Sequence, residues 1–402
     1  MAGGDTEPYA LSASSIGDIS IFSASGDIKA DDPIKLSLLG DESGSIRHVV
    51  SGNDLLVFLS NSVWRIFGRE DLFTPTDVIL REQSKRGSSH IKPLKIDESF
   101  IHEGDEGRLY STQYTPESNR YHSLELSVLA EHLFKGVKLT GMAMSEEPYN
   151  LIYMPTTEGH INILSFYPDE EVLAFARWET DGFVESVATI PNKYADHDDV
   201  YFVVKRYIEV DGEQHEIRNI EILDSRGLHQ ITETVEAGLF VDSGLGAHFP
   251  EAVTSIHNLW HLRGRILVAL IDGGVYDNLV VGSDGVLQLP VEGYHVCLGL
   301  PYETELQTLS IENPQNTIQS SKKKVNRLYV QLYRSRGLKA GFGDDFFDLP
   351  RSIEDDLGFA TGTEEVNMPG GWRTDSKYTI KQTYPLPMTI LSITPDIEVG
   401  NA

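Results

Sequence analysis

The sequence predicts an all-β protein: β-propeller-like blades followed by a smaller C-terminal β-domain. Two observations predict this. Short apolar-alternating segments are broken throughout by Gly, Asn, Asp and Pro, the pattern of strands joined by tight turns. Hairpin-like segments also begin about every 45–50 residues, a period at which several strands per repeat suggest propeller blades. A β-sandwich is the alternative arrangement of the same strands.

The repeating segments are Asn53–Phe67 (NDLLVFLSNSVWRIF), Glu98–Tyr114, Tyr149–Phe166 and Asp199–Leu223. Each reads as two strands around a turn, at Asn61, Gly107, Gly159 and Gly212 respectively. Helical periodicity is scarce. Leu126, Leu129, Ala130, Leu133 and Phe134 fall on one face at helical spacing, which predicts a core-facing helix. A short helical turn is expected over Ser352–Leu357.

A shift near residue 240 predicts two domains, 1–240 with the blades and 241–402 as the C-terminal β-domain. Gly244-Leu245-Gly246 and Pro250 read as a linker. Leu262–Leu289 follows as a meander whose Asp272-Gly273-Gly274 and Asp284-Gly285 are turn chemistry rather than calcium ligands. Val325–Tyr333 is a strand with Leu328, Val330 and Leu332 on one face. Tyr378–Ile397 gives two more strands around Pro385 and Pro387, with proline confining them to an edge or bend. Between these, residues 341–371 read as a long acidic, glycine-rich loop, of a length usually functional or disordered.

The charge balance is 61 Asp and Glu against 33 Lys and Arg, a net −28. This argues against a protein that grips nucleic acid over a broad surface, which needs a cationic footprint. It does not forbid a protein that lets DNA pass, since an acidic wall repels phosphate. Cys297 is the single cysteine, so no intrachain disulfide forms, and a buried, inert thiol is expected. No basic-then-apolar leader opens the chain and no run approaches a membrane span, so assembly in a reducing cytoplasm is expected.

Catalytic motifs are absent: no G-x-S-x-G, no G-x-x-x-x-G-K-[ST], no H-E-x-x-H. Gln214-His215-Glu216 and Asp196-His197-Asp198-Asp199 set histidine beside carboxylates. Adjacent strand residues point to opposite faces, which makes poor metal clamps. The expectation is a chain that is not an enzyme and uses no cofactor or metal. One basic cluster breaks the acidic background: Lys322, Lys323, Lys324, Arg327, Arg334, Arg336 and Lys339. It reads either as a solvated strand edge or as a docking surface for an acidic neighbour. Phe346 and Phe347, in the acidic loop, are the candidate apolar anchors of such an interface.

Several stretches together resemble one known family. LSVLAEHLF (Leu126–Phe134) and the run Met142–Pro191, including Trp178, Thr180, Gly182, Val184, Glu185, Ser186 and Val187, match its central part. His261–Tyr276, His295–Leu309, Lys322–Gly341 and Pro369–Gly400 resemble its C-terminal half in the same order. The family is that of the tail nozzle, or tail hub, proteins of short-tailed bacteriophages, similar to tail tubular protein B. Usual members have a longer region before a block like Ala2–Phe22, and the blade's usual Asp-Gly is Glu158-Gly159 here. The resemblance implies a structural protein of the virion, a β-propeller with an added β-domain. It implies a homo-oligomeric ring, six copies being expected, that docks a tail adaptor and fibres or spikes and encloses the DNA-exit channel. A receptor- or glycan-binding tail module is the alternative.

Overall fold

The structure is a computed structural model and describes residues 2–23, 26–40, 44–68, 73–210, 212–224, 234–312, 318, 320–350, 355–368 and 370–400. Strand accounts for 55% of the chain and helix for 4%, which makes the fold all-β as the sequence predicts. Two compact units divide the chain, Met1–Lys205 and Arg206–Ala402.

In the first unit, β1 (Ala10–Ala13) and β2 (Ile34–Ser37) form a small ribbon. Three four-stranded antiparallel meanders follow. The first holds β3 (Ile46–Ser51), β4 (Leu55–Leu59), β5 (Val63–Gly68) and β6 (Val78–Ser84). The second holds β7 (Leu94–Ile96), β8 (Ser99–Glu103), β9 (Leu109–Thr115) and β10 (Arg120–Glu125). The third holds β11 (Ala143–Ser145), β12 (Leu151–Pro155), β13 (Ile161–Tyr167) and β14 (Val172–Trp178). Their first strands start at Ile46, Leu94 and Ala143, 48 and 49 residues apart. Consecutive four-stranded meanders at this spacing are propeller-like blades.

The four expected turns are all present. Asn61, Gly107 and Gly159 lie between the second and third strands of the three blades, and Gly212 joins the next pair of strands. Gly159 sits at φ +90°, and a Cβ there would lie 2.5 Å from the Phe183 ring, so the turn requires glycine.

The blades pack face to face. Leu56, Phe58 and Val63 of the first meet Phe100 and Tyr121 of the second. Ile101 and Leu109 of the second meet Ile152, Met154 and Leu164 of the third. Middle strands are therefore buried on both faces, as in LLVFL of β4 and SFIHE of β8. Leu126, Ala130, Leu133 and Phe134 join the second of these cores from a short two-turn helical segment over residues 127–134 and the residue before it. Leu129 does not. It is 94% exposed, because the segment is one turn of 3₁₀ helix and one of α-helix, and the tighter first turn shifts the apolar stripe.

β15 (Phe183–Pro191) pairs with β16 (Asp198–Val210), and the chain passes from one unit to the other inside β16. The expected boundary near 240 lies instead inside the second unit, which already includes β17 (Glu213–Ile222). There Arg206 holds Glu221 with two contacts, at 2.6 and 2.7 Å.

The rest of the second unit begins with β18 (Asp242–Ile256), β19 (Ile266–Ile271), β20 (Gly274–Val280) and β21 (Leu287–Leu300), in sheet order β18-β21-β19-β20. The expected linker at Gly244–Pro250 is thus a strand. Pro250 is tolerated because β18 is an edge and its register slips between His248 and Val253. Next come β22 (Thr304–Gln307), β23 (Lys323–Ser335), β24 (Lys339–Phe342), β25 (Asp345–Asp348), β26 (Ala360–Asn367), β27 (Thr379–Gln382) and β28 (Ile390–Val399). The sheets β22-β27-β24-β25 and β26-β23-β28 share one core, with Leu328, Val330 and Leu332 against Ala340, Phe342 and Ile380.

The expected acidic loop at 341–371 is corrected by the same elements. Gly341 lies within β24, where a Cβ would meet the Asp345 carbonyl, and Gly343 at φ +57° turns the chain into β25. Residues 360–367 then form β26. The helical turn expected at Ser352–Leu357 lies partly outside the described residues, which resume at 355.

Candidate functional site

The basic cluster does not form one surface. β23 alternates its side chains, so its cations leave on opposite faces. Lys323 is buried, 1% exposed, with its Nζ 3.5 Å from the Thr374 carbonyl and 3.7 Å from Glu312. It is removed from any docking role by its own unit. Arg327 is exposed but paired with Glu365 at 3.0 Å and lies 4.0 Å from Asp396. Arg334, at φ +41° where the β23 register slips, stacks over Phe359 at 5.0 Å and lies 3.9 Å from Asp355. Arg336 donates to the Gly273 carbonyl at 3.0 Å, and Lys339 lies 5.3 Å over the Tyr384 ring. Lys322 is exposed and Lys324 half-buried. Phe346 and Phe347 are half-buried on β25. Lys381 lies over the Phe346 ring and Phe347 packs on the unit's own core.

A cleft of about 610 Å³ opens in the first unit, lined by turns that no sequence motif marks. In an antiparallel meander, the turn between the second and third strands and the exit of the fourth strand share one end. The cleft is built there. Ser60–Ser62 turns β4 into β5, Lys85–Gly87 leaves β6, and Gly104–Glu106 leaves β8. The strap Gly87–Ser89 ties the blades together. Ser88 N–H donates to the Leu59 carbonyl at 2.8 Å and Ser89 N–H to the Glu103 carbonyl at 2.7 Å. Gly87 lies flat on the Asn61 turn, where a Cβ would be 1.9 Å from the Ser60 carbonyl oxygen. Gly87→Ala is therefore expected to force strap and turn apart at about 1–3 kcal/mol. A lowered urea midpoint with unchanged slope would register it; an unchanged midpoint would show that the strap yields freely.

The cleft presents Glu82, Asp105 and Glu106 against Lys85 and Arg86, with the Tyr110 ring between strap and turn. The Arg86 guanidinium lies 5.7 Å from that ring. Such a surface offers donors, acceptors and one aromatic face to a polar ligand. Beneath it, His102 is fully buried, stacked on Tyr110 at 5.6 Å and edge-on to Phe58 at 4.9 Å. Its Nε2 is 2.9 Å from Thr112 Oγ1, which is 2.7 Å from Ser123 Oγ. Burial drives the imidazole down to about 3, against the opposing pull of the Gly87 backbone. Burial likewise raises the neighbouring Glu103 carboxyl, although it accepts from Leu139 N–H at 2.9 Å.

Cys297 is buried, and burial pushes its thiol up to about 12, so it is held as the unreactive thiol. His197 lies 3.6 Å from Asp199. Among the described residues no three His, Cys, Asp or Glu side chains gather to hold a metal ion. Among the described residues no helix is long and apolar enough to cross a membrane.

No protein-family model and no curated protein matches the chain. Among solved structures, it is similar to one described as a putative 6-phosphogluconolactonase from Bacteroides fragilis. The identity is 12%, the TM-score 0.29, and the match covers 70% of this chain and 87% of that one. The expectation that the chain is not an enzyme is withdrawn on this finding, since a neighbour among all-β folds is described as one. At a TM-score of 0.29 the likeness carries no argument for that chemistry in this chain either.

Proposed function

We propose that this chain is a structural subunit of a virus particle, of the kind that forms the tail nozzle of short-tailed bacteriophages. In this reading copies of it close a ring around the DNA-exit channel, with a tail adaptor on one side and fibres or spikes outside. The observation that carries the reading is the order of the resembling sequence blocks, which follow the elements of the fold. Met142–Pro191 spans β11 to β15, His261–Tyr276 contains β19, Lys322–Gly341 contains β23, and Pro369–Gly400 contains β27 and β28.

Charge supports it. With a net −28 and most cations of β23 spent on partners in their own unit, the surface favours free passage of DNA over capture. The test is the mass of the purified assembly by light scattering, with class averages of intact virions. A closed ring, six copies expected, at the tail end is the supporting result. A monomer or trimer at the particle's periphery overturns it.

The second reading is a glycan-binding tail module. The cleft with its Tyr110 face and mixed charged rim favours it, because sugars bind to aromatic faces rimmed by polar groups. Binding of cell-surface glycan by the isolated chain, lost in Tyr110→Ala, would move this reading to first place.

A further inference from the structure

The last strand of the third blade, β14, is an edge. It pairs with β13 along its whole length, and nothing among the described residues pairs with its other side. Its segment Val172–Ala176 (VLAFA) holds no charge and no proline, the devices that usually blunt an edge against further strands. Beside it runs an apolar groove of about 460 Å³, lined by Leu124, Leu126, Val128, Leu129, Leu173 and Phe175 among others. Leu124, Val128 and Leu129 are 68%, 61% and 94% exposed. Leu173 and Phe175 are two apart, so they stand on one face of β14. At the strand's N-terminal end the turn carries Asp169, Glu170 and Glu171, all exposed and without an ion pair among the described residues.

We propose that this edge and groove bind an extended segment of another protein, added to β14 as an antiparallel strand. The segment carries apolar side chains at alternate positions and Lys or Arg at its C-terminal end. Strand addition follows from the unpaired backbone of β14, which offers main-chain hydrogen bonds, while the groove selects alternate side chains. Direction follows from charge. An antiparallel segment brings its C-terminal end to the N-terminal end of β14, where three free carboxylates wait. A basic partner, rather than the β14 of a second copy, is the occupant because the one cation of that strand, Arg177, is already held by Glu179 of its own chain at 2.8 Å.

The probe is the peptide TVTVTVTVKK, with KKTVTVTVTV and TVTVTVTVDD as controls, bound to the full chain at low ionic strength and followed by fluorescence anisotropy. The first peptide is expected to bind at least about tenfold more tightly than either control. Hydrogen exchange is expected to slow at residues 172–178. Leu173→Lys and Leu129→Lys should each weaken binding by about tenfold while thermal stability stays level, since both side chains are exposed. Asp169→Asn with Glu170→Gln should erase the preference for terminal lysines over terminal aspartates. Equal binding of all three peptides, or indifference to the groove variants, overturns the proposal. So does concentration-dependent self-association that Leu173→Lys abolishes, which would make a second copy the occupant.

Discussion

Replacing Arg65 with alanine is expected to destabilise the first unit by about 3–5 kcal/mol, the cost of breaking a buried ion pair from one side. Arg65 is on β5 of the first blade and is buried. Its guanidinium is 2.6 Å from Asp54 and donates at 2.8 Å to Asn119 Oδ1, in the turn that opens β10 of the second blade. It lies 4.3 Å from the Phe67 ring centre, 5.2 Å from Tyr114 and 5.9 Å from Tyr121. One cation thus joins two blades through a carboxylate, an amide and three rings. Burial, with Asp54 beside it, pushes the Tyr121 hydroxyl up to about 12, so the ring presents a neutral face to the cation.

Alanine removes all of these contacts and strands Asp54, whose side chain is 14% exposed. Arg65→Lys keeps the charge but cannot reach Asp54 and Asn119 together, because one ammonium has no fork. It should recover less than half of the loss. Arg65→Ala with Asp54→Ala removes the stranded charge and should be less harmful than the single change. Urea unfolding of these proteins, with Asp54→Ala alone completing the cycle, decides it. Additive losses in the double variant would mean that the pair is not coupled.

The fold was legible where strands are buried on both faces. LLVFL, SFIHE and LIYMP read as strands because flanking sheets leave no polar alternation. The first and fourth strands of the same blades, such as IRHVVS and VILREQS, face water on one side and pack irregularly, so the sequence showed hairpins where the chain has four-stranded blades. Leu129 has the spacing of a core stripe only on a uniform helix, which this segment is not. The acidic stretch after Gly341 hid a hairpin, because its glycine is needed for backbone packing against Asp345, a contact that composition does not report. The site was less legible still. Arg65, Asp54 and Asn119 come together only when two blades pack, and His102 is one buried residue in an ordinary alternation. The cleft above it is made of turns, which in sequence look like any other turns.

His102 makes acid the condition under which the first unit fails. The unfolded imidazole titrates near 6.5, and burial lowers the folded one to about 3. Between these values the unfolded chain binds a proton that the folded chain refuses. Stability is therefore full above about pH 6.5 and falls with pH below it, by up to ~1.4 kcal/mol per unit for this group. Between pH 6.5 and 5 the loss is about 2 kcal/mol. His48, lowered mainly by its own burial, pulls in the same direction. Glu103 pulls the other way. Its raised folded pKa gives stability that is present in acid and lost as pH rises through it, so it offsets part of the loss near pH 5. A neutral replacement separates the contributions. His102→Gln should lower stability at pH 7.5 by about 1–3 kcal/mol, since Thr112 loses one of its two partners and the Phe58 and Tyr110 contacts are thinned. Its stability should then decline less steeply from pH 6.5 to 5, so that the two curves converge. Parallel curves would mean that another group carries the acid dependence. Because the Gly87 strap rests beside this imidazole, the same proton should open the cleft before the unit unfolds. That opening would be read as faster hydrogen exchange at residues 86–89 near pH 5 in the native protein and not in His102→Gln.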